Sequence, residues 1–251
     1  MLLHSNLCKF HCPRYGDLKV VARTLNDGHD FVSFANTDDD GIDALLFFDS
    51  RGISRKYEGS LAQLLCKHLD AKGQSYVLVC RPLELTIWAT LIGFCRNNSI
   101  RPKRIVTNMG FVDFTPKKLS KLSDARWQSE VVLNKGVATA SKLEIYETTG
   151  GPVALYGMQY NDTYRAEIEN IATKHELVIV NTPLTSSDIN IARERPLSFF
   201  EMQRKSNDFN RSISGATVID FPNFSEAQTY DAVHYNQKGN QTIFDILRKA
   251  L

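Results

Sequence analysis

The chain has 251 residues, 43% of them apolar, and its 30 Lys and Arg nearly balance its 28 Asp and Glu. This composition is typical of a globular protein and argues against a disordered or fibrous chain and against a nucleic-acid-binding surface. No run of about 18 uncharged apolar residues is present, so we expect no membrane span. The start, MLLHSNLCKFHCPR, lacks the features of a secretory signal, and we expect a cytoplasmic protein.

The first 40 residues predict a β extension that packs on the main domain. Residues 18–25 and 29–36 have strand-like composition, and the Asn-Asp-Gly between them favours a tight turn with positive φ. Possible metal ligands cluster near the start, but they include no Cys-x-x-Cys pair, and we expect neither a metal nor a cofactor. These possible ligands are His4, Cys8, His11 and Cys12.

From residue 41 onward, short apolar runs alternate with amphipathic segments. Continuous apolar runs rich in Val, Ile and Phe are typical of strands that are covered on both faces. The predicted strands cover residues 44–50, 76–82, 104–110, 176–183 and 216–222. The predicted helices cover residues 60–73, 84–98, 163–175 and 240–251.

Alternation of strands and helices predicts right-handed crossovers and a parallel sheet with helices on both faces. We therefore expect a three-layer α/β/α sandwich with a five-stranded parallel sheet, similar to flavodoxin in architecture. This domain would cover residues 41–251. Residues 115–162 hold more than one crossover, which indicates an insertion near the sheet edge.

Two strand ends carry residues that suit nucleophilic catalysis. Ligands of open parallel sheets bind outside the carboxyl ends of the strands. Ser50 ends the first strand, and Asp231 and His234 lie three residues apart before the last helix. A serine needs a base, and the base needs an orienting acceptor. We expect the Ser50 hydroxyl within hydrogen-bond reach of His234, with Asp231 on the far side of the ring. Alternatively, Ser50 caps a helix and the other two are ordinary loop residues.

The segments FFDSRG and DAVHYNQKGNQ resemble two sequence blocks of the GDSL/SGNH hydrolase superfamily. The runs VIVNTP and VIDF fall where that family has its fourth and fifth strands, so the resemblance spans about residues 41–251. It implies an SGNH-type fold and hydrolysis of esters without a cofactor. It also implies that Ser50 is the nucleophile, His234 the base and Asp231 the residue that orients the base.

The sequence departs from the family where an oxyanion would be bound. The family's Gly-Asp-Ser begins with Phe48 here, and its Gly-x-Asn-Asp has Val112 in place of the asparagine. The loop after the second strand has no glycine, and Pro82 has no N–H to donate. Loss of one oxyanion donor typically lowers the rate by about 10²–10³. Candidate replacements for oxyanion or substrate binding are Asn108, Gly110, Arg81 and Arg51.

Three functions remain open from the sequence. The first is a serine esterase or deacetylase that acts on a small-molecule or saccharide ester, such as an O-acetylated carbohydrate. The second is an acyltransferase that uses a sugar hydroxyl as acceptor, and the third is a binding protein on a degenerate hydrolase fold. The basic run at residues 116–121 would suit an anionic substrate such as an acidic saccharide, although a solvated helix start is the more ordinary interpretation.

Overall fold

The computed structural model describes residues 32–37, 41–54, 57–80, 87–97, 100–122, 136–186 and 195–251. Most of the hairpin predicted at residues 18–36 lies outside these ranges. The clustered His and Cys residues near the start and the loop residue Arg81 also lie outside them.

The described strands form two sheets. They are β1 (Val32–Ala35), β2 (Gly41–Phe48), β3 (Tyr76–Cys80), β4 (Arg101–Thr107), β5 (Lys117–Lys118), β6 (Ala138–Thr148), β7 (Gly151–Tyr160), β8 (Glu176–Val180) and β9 (Thr217–Ile219). The main sheet has the order β1-β3-β2-β4-β8-β9. Within it, β3, β2, β4, β8 and β9 run parallel, and β1 lies antiparallel along β3. The predicted five-stranded parallel sheet is therefore confirmed.

Helices cover both faces of this sheet. They are α1 (Ser50–Ile53), α2 (Leu61–Ala71), α3 (Ile87–Asn97), α4 (Phe111–Phe114), α5 (Leu119–Leu122), α6 (Asp162–Ala172), α7 (Leu197–Arg211) and α8 (Gln237–Leu247). Successive side chains of a strand point to opposite faces. Accordingly, Leu45 and Phe47 of β2 pack with residues of α3 and α6, whereas Leu46 and Phe48 pack with residues of α2 and α8. The sheet, with one such core on each face and helices outside both, forms the three layers that the sequence predicts.

Helix α7 was not predicted, because its buried face is largely polar. Asn207 exchanges two hydrogen bonds with the backbone of Thr182, at 3.0 and 2.8 Å. Asn210 donates to the carbonyl of Met109 at 3.1 Å and to the side-chain oxygen of Asn181 at 2.9 Å. The helix is thus held to the ends of β4 and β8 by side-chain amides in addition to apolar contacts.

The second sheet comes from the region in which the sequence indicates an insertion. Its order is β5-β7-β6, and all of its strands are antiparallel. The pairing of Thr148 with Gly151 closes the β6–β7 hairpin, and Gly151 has a φ of 97°, which favours glycine. This sheet places β5 and part of the hairpin beside the carboxyl end of β2.

Candidate active site

Ser50 lies on a tight turn between β2 and α1. Asp49 is the N-cap of α1 and accepts a hydrogen bond from the backbone N–H of Arg51 at 2.8 Å. Ser50 is therefore the first residue of the helix, and its interpretation as a helix cap is wrong. A Cβ at Gly52 would lie 2.4 Å from the Cβ of Phe48, so the turn folds back too closely for a larger residue.

The hydroxyl of Ser50 is joined to the imidazole of His234. Ser50 Oγ lies 3.0 Å from His234 Nε2. On the far side of the ring, His234 Nδ1 lies 3.0 and 3.2 Å from the two carboxylate oxygens of Asp231. These distances agree with the arrangement expected from the sequence. When Nδ1 carries the ring proton and its N–H donates a hydrogen bond to Asp231, Nε2 accepts a hydrogen bond from Ser50. Nε2 is then in position to take the hydroxyl proton of Ser50.

The loop Asp-Ala-Val-His fixes its own carboxylate. Asp231 Oδ1 accepts the backbone N–H groups of Val233 at 3.1 Å and of His234 at 2.8 Å. Ala232, between them, has a φ of 66° in the left-handed region. A carboxylate that binds its own backbone in this way is typical of an Asx turn. The three-residue spacing therefore lets one side chain hold both the loop and the imidazole.

Arg195 contacts the same carboxylate and was not predicted from the sequence. Its Nη2 lies 2.9 Å from Asp231 Oδ2, and its Nε donates to the carbonyl of Asp231 at 3.2 Å. Its guanidinium also lies over the ring of Phe199, 4.7 Å from the centroid. Burial acts to raise the pKa of Asp231, but His234 and Arg195 together hold it below its ordinary value. Asp231 is thus kept as a carboxylate.

A buried ion pair lies beneath the turn that carries Ser50. Arg51 and Asp49 are 1% and 0% exposed, and Arg51 Nη2 lies 2.6 Å from Asp49 Oδ2. Arg51 also donates to the hydroxyl of Thr182 and the carbonyl of Asn108. Asn108 accepts the backbone N–H of Asp49 and donates back to its carboxylate, both at 3.0 Å. The turn is therefore linked to the ends of β4 and β8.

The contacts of three candidates for oxyanion or substrate binding are visible in the structure. The side chain of Asn108 is bonded to Asp49, and the guanidinium of Arg51 is bonded to partners beneath the turn. Gly110 precedes α4 with a φ of 105°, and a Cβ there would lie 2.8 Å from the side chain of Asn210. Asn108 and Arg51 thus bond neighbouring segments to one another, and Gly110 allows a close approach of α7. Arg81 lies outside the described residues.

Ser50 and His234 line a pocket with a volume of about 480 Å³. That volume is in the range of small-molecule sites. The pocket is bordered by the turn that carries Ser50, by α4, by the second sheet and by the start of α7. Its apolar lining includes Phe111, Val112, Leu155, Phe199 and Val233, and its polar lining includes Lys117, Lys118, Tyr146, Thr148 and Arg195.

Two lysines of the basic run lie in a strand, and the third, Lys121, lies in α5. Lys117 and Lys118 form β5, which pairs with Tyr156 and Leu155 of β7. Lys117 is 5% exposed, so its interpretation as part of a solvated helix start is wrong. The sequence shows the charge of this run, but the burial of Lys117 depends on a hairpin that follows some 20 residues later.

The described residues include no group of three or more His, Cys, Asp or Glu side chains that could hold a metal ion. Within the same ranges, none of the helices combines the length and the apolar character that a membrane crossing requires.

No protein-family model and no curated protein matches the chain. Similar solved structures include a gut microbial diltiazem-metabolizing enzyme, 11% identical with a TM-score of 0.49, and the similarity covers 84% of this chain and 46% of that one. An acetylxylan esterase from Geobacillus stearothermophilus is 12% identical, with a TM-score of 0.48 and coverage of 82% and 93%. A protein described as a GDSL-like lipase from Parabacteroides merdae is 13% identical, with a TM-score of 0.40 and coverage of 84% and 96%.

The chain thus spans less than half the length of the first of these proteins. Identity to each of the three is low, and the fold assignment rests on the strand order and the three layers described above.

Proposed function

We propose that the protein is a serine esterase in which Ser50 is the nucleophile, His234 the general base and Asp231 the residue that orients the base. The observation that carries this proposal is the continuous chain of contacts at 3.0 Å from Ser50 Oγ to His234 and from His234 to Asp231. These contacted side chains border a pocket that suits a small substrate. The resemblance of FFDSRG and DAVHYNQKGNQ to blocks of the SGNH superfamily supports the same roles.

The reaction would proceed in two steps through an acyl-enzyme. Ser50 Oγ attacks the ester carbonyl while its proton passes to His234 Nε2, and the tetrahedral intermediate collapses as the bond to the alcohol oxygen breaks. His234 gives its proton to the leaving alcohol. A water molecule then attacks the acyl-enzyme with His234 as base, and the carboxylic acid leaves as Ser50 regains its proton. Asp231 stabilises the imidazolium in both steps.

We propose an O-acetylated carbohydrate as the substrate class. The pocket of about 480 Å³ has room for a sugar-sized group next to a short acyl group. Its lining combines aromatic side chains such as Phe111 and Tyr146 with hydrogen-bonding groups such as Thr148. Mixed linings of this kind suit amphipathic ligands such as sugars, which present apolar faces and hydroxyl edges.

The test is hydrolysis of p-nitrophenyl acetate together with labelling by a fluorophosphonate, followed by intact mass. Wild type should turn over the ester and take one adduct, and Ser50→Ala should lose the adduct and about 10³-fold or more of the turnover. Ser212→Ala is the matched control, because Ser212 is exposed at the end of α7 and bonds only locally, to the carbonyl of Phe209.

Folded wild type that gives neither turnover nor adduct would contradict the proposal and favour a binding protein. Addition of a sugar acceptor separates the two enzymatic outcomes. Acylated sugar formed at the expense of free acid would identify an acyltransferase that uses the same three residues.

A further inference from the structure

Cationic side chains outnumber carboxylates in the lining of the pocket. Of the charged side chains that line it among the described residues, Asp49 is the one carboxylate. Arg51 is paired with Asp49 at 2.6 Å, and Arg195 is paired at 2.9 Å with Asp231, just behind the lining. Each arginine thus has its charge offset by a carboxylate at close range. The other two lining cations are Lys117 and Lys118, which we call the lysine wall.

Lys117 is buried without a carboxylate as a hydrogen-bond partner. Its Nζ donates to the carbonyl of Val112 at 2.6 Å and to the carbonyl and hydroxyl oxygens of Thr115 at 3.2 and 3.4 Å. All of these acceptors are uncharged. Burial lowers the pKa of Lys117 to about 8, and the opposing effect of nearby Asp113 offsets only part of that shift. The positive charge at this position is therefore incompletely compensated by the protein.

Lys118 adds a second charge at the rim of the same pocket. It is exposed, and in the part of the chain that the structure describes, no Asp or Glu forms an ion pair with it. Leu155, its partner across the strand pair, also lines the pocket, as does Phe199. Apolar walls lower the local dielectric, which strengthens the attraction between these cations and any anion that enters.

On the basis of the proposed esterase function, we propose that the natural substrate is an ester that carries an anionic group, and that the lysine wall binds this group while the ester lies at Ser50. The group is a carboxylate or a similar monoanion. A neutral ester would fill the same volume, leave Lys118 without a counter-charge and leave the charge of Lys117 only partly offset by Asp113. The anion lies either in the alcohol part, as in an O-acetylated uronic acid, or at the end of the acyl chain.

The experiment measures kcat/KM for two matched pairs of esters. The first pair is p-nitrophenyl hemisuccinate and p-nitrophenyl butyrate, which differ by a charge on the acyl chain. The second pair is O-acetylated glucuronic acid and O-acetylated glucose, followed by acetate release. Wild type should prefer the anionic member of one pair by about tenfold or more, and 0.5 M NaCl should reduce that preference because salt screens a partly exposed charge.

Substitutions in the lysine wall should change the same ratio. Lys118→Gln should reduce the preference for the anionic ester about threefold to tenfold, and Lys118→Glu should reduce it further. Lys103→Gln is the matched control, because Lys103 is an exposed lysine near the start of β4, at the opposite end of the sheet, and should leave the ratio unchanged. Lys118 is exposed, so these variants should fold normally, which circular dichroism checks.

A preference confined to the first pair assigns the anion to the acyl chain, and one confined to the second pair assigns it to the alcohol. Turnover of all four esters with no anionic preference, or a preference that the Lys118 variants leave intact, would overturn this inference and leave the esterase proposal standing. Absence of turnover with every ester would overturn the esterase proposal and this inference together.

Discussion

Arg51 and Lys117 are both buried cations that line the same pocket, but the protein surrounds them differently. Arg51 belongs to the floor, which we define as Asp49, Ser50, Arg51, Asp231 and His234. Asp49 binds its guanidinium through both carboxylate oxygens, and Asn108 and Thr182 accept further hydrogen bonds. Lys117 belongs to the lysine wall, where its Nζ contacts only uncharged oxygens.

The difference indicates a division of roles. A buried charge with a well-placed partner is fixed in position and unavailable to a ligand, which suits a support for the turn that carries Ser50. A buried charge without such a partner raises the free energy of the folded state, and an incoming anion relieves that cost. The floor is therefore built for precise geometry, and the wall is built for binding. The following predictions test this contrast, in order of decreasing effect.

The largest effect is expected in the floor, for Asp231→Asn. An asparagine donates its amide to the ring instead of accepting from it, which favours the tautomer that has the proton on the nitrogen facing Ser50. We expect kcat for p-nitrophenyl acetate to fall by about 10³–10⁴-fold while the protein stays folded. Asp245→Asn on α8 is the control, because that carboxylate is half exposed and pairs with Arg248. Full activity in Asp231→Asn would show that Asp231 has no role in orienting the base.

Asp49→Asn should test whether the floor depends on its buried ion pair. Removal of one partner leaves a buried arginine without a counter-charge, and we expect the free energy of unfolding to fall by about 3–5 kcal/mol in urea titrations at pH 7. Lys103→Gln breaks an exposed pair with Asp43 and should cost less than about 1 kcal/mol. Equal losses in the two variants would contradict the contrast between buried and exposed pairs.

Lys117→Met should test the incompletely compensated charge of the lysine wall through the stability of the protein at alkaline pH. The pKa of Lys117 is lowered in the folded protein, so the unfolded chain binds more protons between about pH 8 and the ordinary lysine value of 10.5. Stability of the wild type should gain a contribution from this group as the pH rises through that window. The gain should be missing in Lys117→Met, as followed by urea unfolding at pH 7.5 and 10. The same slope in both proteins would mean that Lys117 is well compensated.

A smaller effect is expected in acid for the floor, again with stability rising as the pH rises. The pKa of Asp231 is held below its ordinary value, so its stabilising contribution is complete above about pH 4 and is lost as the pH falls further. The difference in unfolding free energy between wild type and Asp231→Asn should therefore narrow between pH 6 and pH 3. A difference that is constant over this range would show that the carboxylate contributes no charge-dependent stability.

The sequence was most informative where function depends on local order along the chain. The strands of the parallel sheet are continuous apolar runs, and the Asp-Ala-Val-His loop is held by bonds between residues two and three apart, so both can be recognised from the residues alone. The meeting of Ser50 with His234 follows from parallel topology, because it brings two distant strand ends to one edge of the sheet.

The remainder depended on tertiary contacts that no local pattern encodes. Helix α7 escaped prediction because Ser206, Asn207 and Asn210 lie on its buried face, which removes the usual apolar periodicity. Arg195 has no motif around it, and its contact with Asp231 joins residues 36 apart. Asn108 was a candidate for oxyanion or substrate binding from its place after β4, but its amide donates to the buried carboxylate of Asp49, a charged and therefore strong partner.

The bonds beneath Ser50 also bear on how the site is lost on heating. The backbone N–H of Asp49 donates to Asn108, that of Arg51 donates to the Asp49 carboxylate, and the Arg51 guanidinium reaches Thr182. Segments tied in this way open together with the core and not by local fraying. In native-state hydrogen exchange, the amides of Asp49 and Arg51 should therefore be as protected as those of β2 and β4, and the turn that carries Ser50 should open only when the whole sheet opens.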